Sequence, residues 1–343
     1  MKEYLAFALS MLVTASFGQM GFLPIQNVSA GKQFRFPVVS GTPPAVPEKI
    51  NAYLQLAELD LLKGSEQQHI FEKVAADNGT IYGGKVSIAY EVLTNTRQNL
   101  AIRLTQSSCG ATCAYWVRYY NFNPQNGDRY FVPDFFPAAN LERLRQIITP
   151  RRQANLRKQI KALVASGEDA AHLEKYIYDY IGRDNLEDFY FTKDSIFFDN
   201  ENLLSKNDKF YGLDNVTGFS VAEIKHLLNA CGRSALLTGA QLAGFRSGTE
   251  PQLYEGRVGG SAAFYLLFRH DYQNKYRGSY AYKKYGRAIY LEGEQTGAEY
   301  SFSEKDANHD ETARIQFRKD GLALKGYWVG RQNRKLAFSA TRK

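Results

Sequence analysis

Cysteine and histidine are scarce, three and five in 343 residues. His69, His172, His226, His270 and His309 are scattered, with none at metal-ligand spacing. The close cysteine pair has no second pair and no nearby histidine, which excludes a zinc knuckle. The nucleophile elbow, the HExxH zinc helix, the phosphate-binding P-loop and the GxGxxG turn are all missing. No metal and no cofactor are therefore expected. Beyond the first residues, no apolar run is long enough to span a bilayer. A transmembrane segment in the mature chain is not expected. Acidic residues are in the minority, and the net charge is +8. That balance disfavours basic partners and permits anionic ones.

The start of the chain points to export. Lys2 precedes an apolar run from Tyr4 to Phe17, with small residues at Ala15, Ser16 and Gly18. This is the layout of a secretory signal over residues 1–18, cleaved near Gly18. No cysteine follows that run, so a lipid anchor is not expected. The mature protein then works in the periplasm or outside the cell, where nucleic acid is not a partner. Cys109 and Cys113 bracket Gly-Ala-Thr, a spacing that closes a small disulfide loop in such a compartment. Cys231 is left as a buried thiol.

Aromatics make up 14% of the chain and fall in alternating runs, which predicts much β structure. The fold class expected is α+β, an antiparallel sheet with packed helices, followed by an all-β up-and-down barrel. The first part covers residues 19–231. Pro47 opens a helix carrying Ile50, Leu54, Ala57 and Leu61 on one face. Alternation in Lys85–Val92, Asn99–Gln106 and Ala114–Phe122 predicts a meander. Asn78-Gly79 marks a turn before it. Tyr119–Phe136 reads as strand, Asn126-Gly127 turn and second strand. Ala138–Ile148 predicts one helix, Thr149-Pro150 caps another reaching Ser166, and a third ends before Gly182. Asp188–Phe191 and Ser195–Phe198 form a second hairpin, and Ser220 with Glu223 a capping box.

Residues 232–252 are rich in small residues and read as a linker. Over residues 253–343, alternating runs recur about every ten to twelve residues with no helix signal between them. About eight strands suit a small closed barrel. Gly278 and Gly326 sit at similar places in two of them, where the strand bends sharply.

Several groups of residues could carry function. Tyr276, Tyr280 and Tyr282 share one face of a strand, and Trp328 lies on a later one. Pointing inward, they line a small ligand pocket or fill the core. Arg151, Arg152, Arg157, Lys158 and Lys161 make a basic helix suited to an anionic surface, or a solvated face. Asp128, Asp134 and Asp188 sit at strand ends, where carboxylates could hydrolyse a glycan or cap turns. Asp306, Asn308 and Asp310 have calcium-loop spacing. The required glycine is Glu311, however, and the distal glutamate position holds Phe317, so a hairpin turn is the better reading.

The order of motifs in residues 34–230 resembles a known family. The pieces are FPVVSG at Phe36–Gly41, EKINAYL at Glu48–Leu54, YYNFNPQNGDRYFVPDFF at Tyr119–Phe136, FYFTKDSIFF at Phe189–Phe198 and FSVAEIKHLL at Phe219–Leu228. They are similar to the extracellular domain of unknown function shared by RsiV-type anti-sigma factors and PdaC-type peptidoglycan deacetylases. The resemblance implies an α+β fold outside the cytoplasm and, in the RsiV branch, recognition of lysozyme. The chain lacks the anti-sigma segment and the deacetylase domain of those relatives. Its C-terminal part looks like a barrel module with a G-x-Y…G-x-W pattern, found in exported bacterial proteins. The expected function is a non-enzymatic binding protein of the cell envelope. Its partner is a cell-wall fragment or an envelope or host protein such as a lysozyme. The alternatives are a carboxylate-dependent peptidoglycan hydrolase and a purely structural envelope module.

Overall fold

The computed structural model describes residues 19–29, 31–62, 70–76, 83–179, 186–238, 247, 251–305 and 310–343. The expected signal (1–18), the Asn78-Gly79 turn, the Gly182 stop and Asp306–His309 lie outside them. So do residues 239–246 and 248–250 of the expected linker.

A six-stranded sheet organises the first part. Ile25–Ser29 and Lys32–Phe36 form a hairpin that turns at Gly31, and the second of these pairs in parallel with Lys85–Asn95. The meander follows as Lys85–Asn95, Leu100–Cys109 and Cys113–Phe122. Arg129–Tyr130 closes the sheet. The chain reaches it through Gly127, whose φ of 71° lies in the left-handed region that glycine enters freely. Cys109 and Cys113 are disulfide-bonded across the end of the second hairpin.

The first helix, Ala45–Glu58, covers one face of this sheet. Ile50, Tyr53 and Leu54 recur at helical spacing and bury against Ile102, Leu104 and Phe122. The same apolar cluster continues onto the outer surface of the barrel at Tyr265, Leu267, Ala281 and Ala288.

The second layer is built on a three-stranded sheet of Phe189–Phe191, Ser195–Asp199 and Val216–Ser220. Its phenylalanines pack under a single helix, Ala138–Ala165. Sequence reasoning divides that helix at Thr149-Pro150; the structure runs it through. Pro150 has no N–H to give the carbonyl four residues back. Burial outweighs that loss, because Leu144, Ile148, Arg152, Leu156 and Ile160, each four residues apart, all lie inside. The third helix is also shorter than its pattern suggests. A 3-10 turn at Ala171–Glu174 leads into Lys175–Asp179. The capping box is present, with Ser220 Oγ accepting from Glu223 N.

The two sheets meet through side-chain amides. Asn121 Nδ2 donates to Phe189 O at 2.7 Å and Asn99 Nδ2 to Phe191 O at 2.8 Å. Thr94 Oγ1 also donates to Phe191 O. These carbonyls lie on the outer edge of the small sheet, where no strand pairs with them.

The C-terminal part is a closed antiparallel barrel of eight strands in sequence order, from Tyr254–Val258 to Lys335–Arg342. The last strand pairs back on the first, Gly256 opposite Ala340. Alternation sends Phe264, Leu266, Phe268, Leu291, Phe302, Ile315, Phe317 and Phe338 into one packed interior. A Cβ on Gly278 would sit 2.5 Å from Leu267 O, and one on Gly326 1.8 Å from Gln316 O. Both glycines are required by close backbone approach. No helix among the described residues is long and apolar enough to cross a membrane.

Candidate functional site

A cleft of about 1020 Å³ opens where the first helix, the meander and the barrel face one another. Tyr53, Glu58 and Asp60 come from the helix and the residues after it. Arg118–Tyr120 and Arg129 come from neighbouring strands of the sheet, and Arg145 from the long helix. Tyr276, Tyr290 and Tyr300 form the barrel side.

Two charged residues at the floor behave differently. Glu58 is 5% exposed and accepts from Tyr120 Oη and from Gln106 Nε2 at 2.7 Å. Lys85 Nζ lies 3.4 Å away and Arg118 Nε 3.6 Å. Burial works to raise its carboxyl, but Lys85, Arg118 and the bonds from Tyr120 and Gln106 together hold the group below the usual range. Glu58 is thus a fixed negative charge that is already compensated.

Arg129 is not compensated in this way. Its guanidinium centre stands 4.6 Å from the ring centroids of both Tyr120 and Phe131, and 5.6 Å from that of Tyr53. It donates to Tyr53 Oη at 2.8 Å and Tyr119 O at 3.3 Å, and its Nε has no partner. No carboxylate pairs with it among the described residues. Rings hold the plane of the cation, and the Glu187 carboxylate, also on the cleft, acts on its charge without pairing with it. Arg118, itself 3.6 Å from Glu58, and Arg145, 3.5 Å from Glu142, add positive charge to a lining that also holds Asp60, Glu187, Asp188 and Asp271.

Of the three strand-end acids, only Asp188 borders the cleft. Burial pushes its carboxyl up to about 6, against the 2.9 Å bond from Asn202 Nδ2. Asp128 is fully buried between Lys49 and Arg342. Asp134 accepts from Phe131 N at 2.7 Å and Ser247 Oγ at 2.8 Å, as a cap does. Burial raises it to about 6 as well. The three therefore do not assemble into a carboxylate pair.

The Asp188 shift has a measurable consequence. Unfolded, an aspartate titrates near 4. Between about pH 4 and 6 the unfolded chain releases a proton that the native state keeps. The contribution of Asp188 to stability is complete below that window and is lost as pH rises through it. Asp188→Asn is expected to lose less melting temperature than the wild type between pH 4 and 6. Equal slopes in the two melting series would show that Asp188 titrates normally.

The aromatic residues expected to line one pocket are divided between the two ends of the barrel. Tyr276 faces the cleft and donates to Gln295 Oε1 at 2.8 Å. Tyr280, Tyr282 and Trp328 gather at the other end around Glu304, which sequence reasoning passed over. The basic helix also changes character. Arg152 is 1% exposed and donates to Phe198 O and Thr217 Oγ1, so it belongs to the interior and not to an anionic surface. Its four-residue spacing from Ile148 and Leu156 is the signal that places it there. Arg151 is tied to Glu223 at 2.6 Å and to Gly218 O. Arg157, Lys158 and Lys161 remain exposed.

Among the described residues no group of His, Cys, Asp and Glu could hold a metal ion. His172 instead bonds Asp208 at 3.0 Å.

A solved structure of a DUF3298 family member from Bacteroides fragilis is similar, with a TM-score of 0.42 at 13% identity over 66% of this chain and 99% of that one. A DUF3298 family protein from Pseudomonas aeruginosa gives a TM-score of 0.38 at 12% identity, over 62% of this chain and 94% of that one. Similarity this low carries no functional argument. No family model matches the sequence, and no curated protein does.

Proposed function

We propose that the chain is an exported binding protein of the cell envelope. Its cleft takes an anionic, sugar-bearing ligand of the kind that a wall fragment presents. The observation that carries this reading is Arg129, a guanidinium held by three rings and in ion-pair contact with no carboxylate among the described residues, on the floor of the cleft. A carboxylate of the ligand supplies the missing counter-charge through a bidentate bond. Arg118 and Arg145 attract it to the opening. Tyr276, Tyr290 and Tyr300 offer aromatic surface for a sugar ring, with the hydroxyls of Tyr276 and Tyr290 held by Gln295 and Asp60. The disulfide and the apolar leader sequence support export.

Calorimetry against soluble wall fragments, neutral glycans of equal length and a lysozyme tests the reading. The acidic fragments are expected to bind, more weakly as salt rises. Arg145→Ala, at a half-exposed position, should weaken them roughly fivefold, about 1 kcal/mol. Equal binding of neutral glycans would remove the argument from Arg129. Binding of lysozyme alone, untouched by Arg145→Ala, would move the function to protein recognition away from the cleft.

A further inference from the structure

The cleft holds a balance of charge that one group can tip. Among the described residues five arginines and five acids line it. Two of those acids, Glu187 and Asp188, are neighbours in sequence. The field of Glu187 reaches Arg129, and that of Asp188 reaches Arg118. An anionic ligand must therefore share both arginines with carboxylates that the chain itself supplies.

The surroundings hold the two acids in place. Leu186 and Phe189, on either side, are buried. Asp188 O accepts from Asp199 N at 2.8 Å and Glu187 O from Phe189 N at 3.2 Å. Asn202 fastens the Asp188 carboxylate: its Nδ2 donates to that group at 2.9 Å and to Val117 O at 2.8 Å, while its Oδ1 accepts from Val117 N at 3.0 Å. Val117 precedes Arg118, so this clamp sets the acid against the strand that carries the arginine.

Among the described residues, the charges around Asp188 act in both directions. Asp199 and Glu187 repel its negative form, and Arg118 attracts it. Lys209, from the turn Asp208–Tyr211, feels it as well. Glu201, beside Asn202, is paired with Arg103 at 3.0 Å, and Tyr119 Oη donates to Asp199 at 2.6 Å. Burial together with two like charges favours the protonated acid, in keeping with its rise to about 6. Glu58, on the same floor, is held the other way by Lys85 and Arg118. The two carboxylates thus answer differently to mild acid.

We propose that Glu187 and Asp188 are built-in competitors for the arginines of the cleft, and that loss of the Asp188 charge makes anions bind more tightly in mildly acid surroundings. The inference rests on reading the cleft as an anion site.

Calorimetry with N-acetylmuramic acid, a sugar carrying one carboxylate, tests it at about pH 7.5 and about pH 5, with neutral N-acetylglucosamine alongside. Ordinary carboxylic acids titrate near 4, so the ligand stays charged throughout. Its affinity is expected to rise roughly fivefold at the lower pH, the effect of removing one nearby charge. Asp188→Asn keeps an acceptor for Asn202 and should bind at the higher pH as the parent does at the lower one. Glu187→Gln, at an exposed position, should tighten binding by a similar factor and keep the pH slope. If Asp188→Asn does not fold, Glu187→Gln carries the test of competition. His270, which meets Gln273 O on the barrel wall, is the histidine of the lining. A slope that vanishes in His270→Gln and persists in Asp188→Asn would overturn the proposal. Equal affinity at both pH values would overturn it too, while leaving the reading of Arg129 in place. No binding at either pH would sink that reading and this inference with it.

Discussion

Asp128→Ala is expected to destabilise the protein by about 3–5 kcal/mol, the usual result of removing one partner from a buried ion cluster. Asp128 is completely buried, and the side chains of Lys49 and Arg342 are each 6% exposed. Lys49 comes from the first helix, Asp128 from the Asn126-Gly127 turn and Arg342 from the last barrel strand. The substitution strands two buried cations at once, one in each part of the chain. Arg342 also donates to Ser247 O and Lys49 to Asn126 O, so part of the hydrogen bonding of each survives. Urea denaturation of Asp128→Ala, Arg342→Ala and the double variant gives a complete cycle. The double variant should cost clearly less than the sum, because the second change removes a charge that the first leaves unpaired. A single-variant loss below about 1 kcal/mol would show that water reaches the cluster and screens it.

Gly326→Ala is the second substitution with a large expected effect. An added Cβ would stand 1.8 Å from the Gln316 carbonyl oxygen and 2.6 Å from Phe317 Cα. These are backbone atoms of the neighbouring strand, with no side chain to swing away. The two strands must separate where Phe317 faces Gly326 in the register. The cost should reach or exceed the roughly 3 kcal/mol at the upper end for overpacked cores. Trp328, two residues on, loses its position, so the near-ultraviolet circular dichroism of the barrel should weaken with the melt. Gly297→Asn is the control. Gly297 has a φ of 61° and no atom within 4 Å of a new Cβ, and asparagine tolerates that backbone. Similar losses at both positions would mean that backbone conformation and not space decides the matter.

Local pattern carries much of this fold. The meander, both hairpins and the barrel follow from alternation and turn residues, because antiparallel neighbours are also sequence neighbours. The disulfide follows from spacing alone. Pro150 misleads, since a proline stops a helix only where nothing else holds it. Here a buried stripe from Leu144 to Ile160 does. Arg152 misleads for a related reason: its charge suggests solvent while its spacing specifies the interior. The cleft cannot be read from the chain at all. Tyr53, Arg118, Arg129, Asp188 and Tyr276 come from elements whose approach depends on tertiary packing. In the barrel the pattern identifies the aromatic residues but not the acid that binds two of them. Glu304 sits in a strand whose other acid, Glu299, is exposed.

The amide contacts between the two sheets restrict how another polypeptide could join this one. Asn99, Asn121 and Thr94 occupy the outward carbonyls of the Phe189–Phe191 edge, so an incoming strand finds its acceptors taken. Arg151 blocks Gly218 O on the opposite edge of the same sheet. The barrel, being closed, offers no edge. Ile25–Ser29, at the border of the large sheet, pairs on its outer side with no strand among the described residues. A peptide that binds by adding a strand would need such a border strand, and any partner of the barrel must be recognised through side chains.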